Sequence, residues 1–182
     1  MLELCCGIGG WSKGFAELGY ECTGIDIKKL GYPYRFIKAD IFDWEPDQDY
    51  SVVCASPLCS PFSHVNQNFN GKNNESKGLN LVWRVFDLIN KIKPDYYVVE
   101  NVKGLAGFLP PPNDIVRYAK KAVYKEAYLW HNFPKVGMLE TMIDRRTTRA
   151  DFELADRRLF AEIPLPLSRQ FAKSISKTDV VK

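Results

Sequence analysis

Four short apolar runs, each closing on an acidic or turn residue, constrain this chain more than any other feature. Leu2 to Cys6 runs into Gly7-Ile8-Gly9-Gly10, Glu21 to Ile27 closes on Asp26, Tyr34 to Ala39 on Asp40, and Asp49 to Ala55 on Ser56-Pro57. After the first run, Trp11, Phe15 and Leu18 recur at helical spacing until Gly19 stops the pattern. Val82, Val85, Phe86, Ile89 and Ile92 share one helical face, predicting an amphipathic helix over 79–92 before Pro94. Tyr96 to Val99 reads as a fifth strand, ending on Glu100. Strands alternating with helices predict an α/β fold, a mostly parallel sheet with helices on both faces. Ligands of such sheets sit at the carboxyl ends of the strands, where the residues singled out below fall.

At 182 residues the chain is expected to form one domain, 1–182, with ample apolar content for a core. A net charge of +3 permits nucleic-acid binding without arguing for it. The five cysteines are odd in number and form no CxxC pair, which predicts reduced thiols in an intracellular, cytoplasmic protein. There is no signal-peptide pattern, and no apolar run approaches the roughly 18 residues of a membrane span, so no membrane partner is expected. The polar stretch His64 to Lys77 reads as a surface loop or, directly after a candidate nucleophile, as a closing lid. Farther on, Leu109-Pro110-Pro111-Pro112 reads as a rigid connector and Ala122 to Trp130 as a strand or hairpin arm. Ile143 to Arg158 is polar and arginine-containing, and Pro164 and Pro166 introduce a last helix around Leu167 to Ile175.

A glycine turn between a strand and a helix lets a ligand approach the backbone, and the helix amino terminus offers free amides. A purely structural turn remains an alternative, and the GxGxxG pattern of a dinucleotide site is not met. Asp26 is placed to accept hydrogen bonds from ribose hydroxyls and Asp40 from an adenine amino group. Two carboxylates at successive strand ends suit a nucleoside and would repel a pyrophosphate, which favours S-adenosylmethionine over NAD. Cys59 stands between Pro57 and Pro61 in a turn after the fourth strand, exposed and held as a nucleophile must be. The ordinary alternative is a small buried cysteine. Glu100, following Tyr97-Val98-Val99, either reaches solvent in a cleft or holds a proton, as a donor to a pyrimidine ring nitrogen requires.

These residues resemble the cytosine-C5 DNA methyltransferases. Leu4-Cys5-Cys6-Gly7-Ile8-Gly9-Gly10 is similar to the family's first motif and Pro57-Leu58-Cys59 to its nucleophile motif. Glu100-Asn101-Val102 is similar to its acid motif, and Arg169-Gln170-Phe171-Ala172-Lys173-Ser174-Ile175 to its last. The resemblance implies a Rossmann-like, S-adenosylmethionine-dependent methyltransferase acting on a cytosine flipped from duplex DNA, with S-adenosylhomocysteine as product. It implies a catalytic set of Cys59, Glu100, Arg146 and Arg149, the arginines taken from Arg145-Arg146-Thr147-Thr148-Arg149 in preference to Asp156-Arg157-Arg158. For the cofactor it implies Cys5, Gly7, Ile8, Gly9, Gly10, Asp26, Ile27, Asp40, Ile41, Pro57, Leu81 and Ser174.

The chain departs from the family pattern in three places. Cys5 stands where an aromatic residue often stacks on the adenine, and Leu58 replaces the second proline before the nucleophile. Residues 103–160 leave room only for a reduced or atypical target-recognition region, as in short phage or archaeal forms of a restriction-modification type. A recognition partner protein, an RNA substrate, or a non-catalytic accessory role are the alternatives this raises. Lys72 and Lys77 are candidates to meet phosphate.

Overall fold

The computed structural model describes residues 1–63, 75–120, 123–134 and 163–175. One seven-stranded sheet organises them: β1 (Leu2–Leu4), β2 (Thr23–Asp26), β3 (Arg35–Lys38), β4 (Val52–Ala55), β5 (Tyr96–Asn101), β6 (Asp114–Lys120) and β7 (Val123–His131). Their spatial order is β3-β2-β1-β4-β5-β7-β6. The first five are parallel, while β7 is antiparallel to both β5 and β6. The helices are α1 (Gly10–Glu17), α2 (Glu75–Ile92) and α3 (Leu165–Ser174). No helix among the described residues is long and apolar enough to cross a membrane.

The register explains why the apolar runs end where they do. Ile37, Ile25, Leu4, Ala55, Val99 and Trp130 stand opposite one another in a single row across six strands. All belong to or pack against one core cluster, which α2 covers with Val82, Val85, Leu88 and Ile89. Alternate residues point to the opposite face, where Val52, Cys54, Val98, Ala127 and Leu129 meet Trp11 and Phe15 of α1 and Leu167, Phe171 and Ala172 of α3. A strand buried on both sides reads as a continuous apolar run, as Val52-Val53-Cys54-Ala55 does. One residue beyond the shared row the chain turns polar, and Asp26, Ser56 and Glu100 fall there.

Strand order reverses between β1 and β4, which makes the crevice at their carboxyl ends the switch point where such sheets bind ligands. The glycine turn follows β1 and the Cys59 turn follows β4, so the fold brings both to one edge.

Most strands are a few residues shorter than the runs read from the sequence, and other elements differ as follows. α2 begins at Glu75, ahead of its first apolar residue, because a helix extends beyond the stripe it buries. β5 continues through Asn101. Within the stretch assigned to target recognition, β7 falls where a strand or hairpin arm was expected, whereas β6 was not foreseen, and both join the same sheet.

Candidate active site

The turn after β1 adopts left-handed backbone at Cys5 (φ 54°), Gly7 (φ 51°) and Gly9 (φ 84°). Glycine takes these angles without strain, whereas Cys5 bears a side chain at a conformation costing on the order of 1 kcal/mol or more. Asp26 closes the turn: its Oδ2 accepts from the Gly7 amide at 3.1 Å and its Oδ1 from the Lys28 amide at 3.0 Å. Asp40 accepts from the Phe42 amide at 3.0 Å. Ile27 and Phe42, next to these carboxylates in the chain, and Leu58 after β4 are 56%, 50% and 60% exposed. Apolar side chains left open among carboxylates suit a nucleoside, whose flat base is apolar on its faces and polar at its edges.

The expectation of free amides at the amino terminus of α1 is corrected. Glu3 of β1 accepts from the Trp11 amide at 3.2 Å, the Ser12 amide at 2.9 Å and the Ser12 hydroxyl. Tyr32 completes the chain, its hydroxyl 2.6 Å from Ser12 Oγ. Glu3 alternates with Leu2 and Leu4, so it projects beneath α1 and serves as a cap that no neighbouring residue could supply. Burial pushes its pKa up to about 7 against the opposing effect of these hydrogen bonds. The protein thus satisfies the Trp11 and Ser12 amides at this helix end with its own carboxyl.

The Cys59 loop is fixed on both sides of the thiol. Ahead of it, Trp11 Nε1 donates to Ser56 Oγ at 3.1 Å and Asn101 Nδ2 donates to the Pro57 carbonyl at 3.0 Å. Behind it, Ser60–Phe62 forms a 3-10 turn closed by the Phe62 amide on the Cys59 carbonyl at 3.0 Å. Gly78 of α2 and Gly104 let Pro61 and Phe62 pack so closely that a β-carbon at either position would collide with them. Cys59 itself is half-buried, with φ −90° and ψ −14°, near the sparsely populated bridge region common at active sites. Glu100, also half-buried, lies on the strand that pairs with β4, immediately before Asn101. The nucleophile candidate and the acid candidate therefore share a boundary between two neighbouring strands, linked by the Asn101 amide.

Residues 1–110 match the family model of the C-5 cytosine-specific DNA methylases. The chain belongs to this family. A probable DNA (cytosine-5)-methyltransferase of Frog virus 3 (isolate Goorha) is 27% identical over 117 residues, 56% of this chain and 52% of that one. The crystal structure of a putative DNA modification methyltransferase encoded within an E. coli prophage superposes with a TM-score of 0.54 at 17% identity. That match covers 80% of this chain and 52% of the other, and it shows the Rossmann-like methyltransferase fold. The chain spans about half the length of the relatives it matches.

Within this member of the family, the sequence-derived residues divide by position. Cys5, Gly7, Ile8, Gly9, Gly10, Asp26, Ile27 and Asp40 line the ends of β1 to β3, and Pro57, Cys59 and Glu100 those of β4 and β5. Ile41 is buried in the core, its carbonyl engaged by Arg84 Nε at 2.8 Å, and Leu81 packs half-buried beside that cluster. Ser174 donates to the Phe171 carbonyl of its own helix at 2.7 Å. α3 returns to the glycine turn through α1: Ser168 Oγ accepts from the Gly14 amide at 3.1 Å and donates to the Trp11 carbonyl. Arg146, Arg149, Lys72 and the rest of 64–74 lie outside the described residues. Lys77 is exposed on the first turn of α2.

The sequence reading missed Glu3, Trp11, Ser56 and the contact role of Asn101. Only Glu3 carried a local signal, as a lone carboxylate alternating with buried leucines.

Proposed function

We propose that residues 1–182 form one catalytic unit that methylates carbon 5 of cytosine in DNA. The observation carrying this reading is the Asn101 to Pro57 hydrogen bond, which binds the loop of a half-buried cysteine to the strand of a half-buried glutamic acid next to the switch point. Cys59 acts as the nucleophile, its thiolate forming a bond to carbon 6 of the ring. Glu100 donates a proton toward ring nitrogen 3 and accepts from the exocyclic amine, so that negative charge does not accumulate on the ring. The electron pair displaced from the 5,6 double bond then makes carbon 5 nucleophilic. S-adenosylmethionine, when bound, supplies the methyl group that carbon 5 accepts. Loss of the carbon 5 proton to a solvent water restores the double bond, breaks the carbon–sulfur bond, frees the Cys59 thiolate and returns the nitrogen 3 proton to Glu100.

The residues present fit S-adenosylmethionine. Gly7 offers open space above a left-handed turn, Asp26 and Asp40 present carboxylate oxygens for ribose and adenine amine, and Ile27, Phe42 and Leu58 provide apolar contact. A duplex target must be flipped into this crevice at a cost of a few kcal/mol.

The test is transfer of labelled methyl from S-adenosylmethionine to mixed-sequence duplex DNA and to RNA, by the wild type and by Cys59→Ala. Transfer to DNA that Cys59→Ala abolishes supports the reaction and its nucleophile. A strong preference for RNA overturns the substrate. Silence on both polymers, with cofactor bound, overturns the enzyme reading in favour of an accessory role. A duplex bearing 5-fluorocytosine should trap the wild type covalently in the presence of cofactor.

A further inference from the structure

The hairpin of β6 and β7 brings a residue to the catalytic crevice that none of the sequence motifs contains. Leu129 of β7 stands opposite Glu100 on one side and Asp114 on the other. Asp114 therefore shares the Glu100 face of the sheet, and strand alternation places Val116 and Tyr118 on that face as well. β6 runs in the same direction as β5, because both are antiparallel to β7. Val116 pairs with Ala127 and Tyr118 with Lys125, rows that lie beyond Asn101, the last residue of β5. The hairpin thus continues past the strand ends from which Cys59 and Glu100 project.

It does not continue straight into solvent. Val116 and Tyr118 pack against the cluster of Trp11, Val98, Leu129 and Phe171, which draws this face of the hairpin toward α1 and α3. Burial above all, with Glu100 and Cys59 adding to it, pushes the Tyr118 phenol up in pKa, so at neutral pH it holds its proton and can serve as a donor. An amphipathic ring with its body packed on the core, on the face of the sheet that carries Glu100, is suited to receive a polar, planar ligand.

We propose that Tyr118 is a substrate-contacting residue whose hydroxyl donates a hydrogen bond to the O2 carbonyl of the target pyrimidine. This rests on the cytosine reading above. With Cys59 at carbon 6 and Glu100 at nitrogen 3 and the exocyclic amine, the acceptor left on the ring is O2, which adjoins nitrogen 3. A donor on the Glu100 face, on rows beyond the end of β5, is on the side of the sheet from which that edge can be reached.

The experiment combines Tyr118→Phe, which keeps the ring and its packing, with duplexes bearing cytosine or 2-thiocytosine at the methylated position. Sulfur is a weak acceptor, so each change should remove the same hydrogen bond. Each alone should lower the single-turnover rate by up to about tenfold, and the two together should cost little more than either. A wild type indifferent to 2-thiocytosine, a Tyr118→Phe variant at full rate, or losses that multiply would each overturn the Tyr118 contact while leaving methyl transfer intact. A wild type that methylates no cytosine overturns the underlying reading, and Tyr118 with it.

Discussion

The side-chain amide of Asn101 donates to the Pro57 carbonyl at 3.0 Å while its Oδ1 accepts from the Val102 amide at 2.9 Å, all on a side chain with no solvent exposure. Asn101→Ala leaves both main-chain groups without these partners, and an unsatisfied buried group costs about 1–3 kcal/mol. Urea unfolding should register that loss. The methyl-transfer rate should fall more than cofactor affinity does, because the bond joins the Cys59 loop to the Glu100 strand and touches neither the glycine turn nor its carboxylates. Equal losses in rate and affinity would show that Asn101 acts on the whole fold and not on the alignment of those two residues.

Gly14 provides a test of the contact between α1 and α3. Alanine is favoured over glycine within a helix by roughly 1 kcal/mol, yet a β-carbon at Gly14 would run into Ser168 Oγ and the main chain of Ser168 and Arg169. Main chain cannot move aside as a flexible side chain can, and overpacking of this kind costs about 1–3 kcal/mol. Gly14→Ala should therefore lower the thermal midpoint, with cofactor affinity falling as α3 loosens its hold on the helix that carries the turn.

The parts of this fold that were legible in sequence are those whose burial is written in local pattern. β4 and β5 are apolar on both faces, and α2 repeats its apolar residues at helical spacing, so each announces itself within its own segment. β6 did not. Ile115, Val116 and Tyr118 are interrupted by Arg117, which pairs with Glu126 across the hairpin, and the strand exists because β7 lies beside it. At the site, Cys59, Glu100 and the glycine turn were legible through their motifs, whereas the Trp11–Ser56 and Asn101–Pro57 bonds join residues far apart in the chain. Such bonds depend on strand order, which no single segment encodes.

The five free thiols should differ sharply in reactivity. Burial, with Asp26 and Asp40 nearby, pushes the Cys5 thiol up to about 12, burial pushes Cys22 up to about 11, and Cys6 and Cys54 are raised as well. The thiolate is the reactive form, so these four should resist alkylation. Cys59 is half-buried on an anchored turn. Brief iodoacetamide treatment near pH 8, read by peptide mass spectrometry, should modify Cys59 first and abolish methyl transfer in proportion. Cys5 labelling at the same rate would contradict this ordering.

Glu3 makes the stability of the α1 end depend on pH in a direction opposite to that of an ordinary salt-bridged carboxylate. Its carboxyl titrates at about 7 in the folded protein against 4.5 for the free side chain. Between those values the folded state holds a proton that the unfolded chain has released, so stability falls as pH rises through this window. The contribution is fully present below 4.5 and lost above 7, with a span on the order of 3 kcal/mol at most. Glu3→Gln keeps the shape and an oxygen that can accept from the Ser12 amide, while removing the titration. Urea unfolding at pH 5 and pH 8 should show the wild type losing more stability than Glu3→Gln over this interval. A wild-type curve parallel to that of the variant would mean that the Trp11 and Ser12 donors offset the burial, leaving Glu3 ionised throughout as a charged cap on α1.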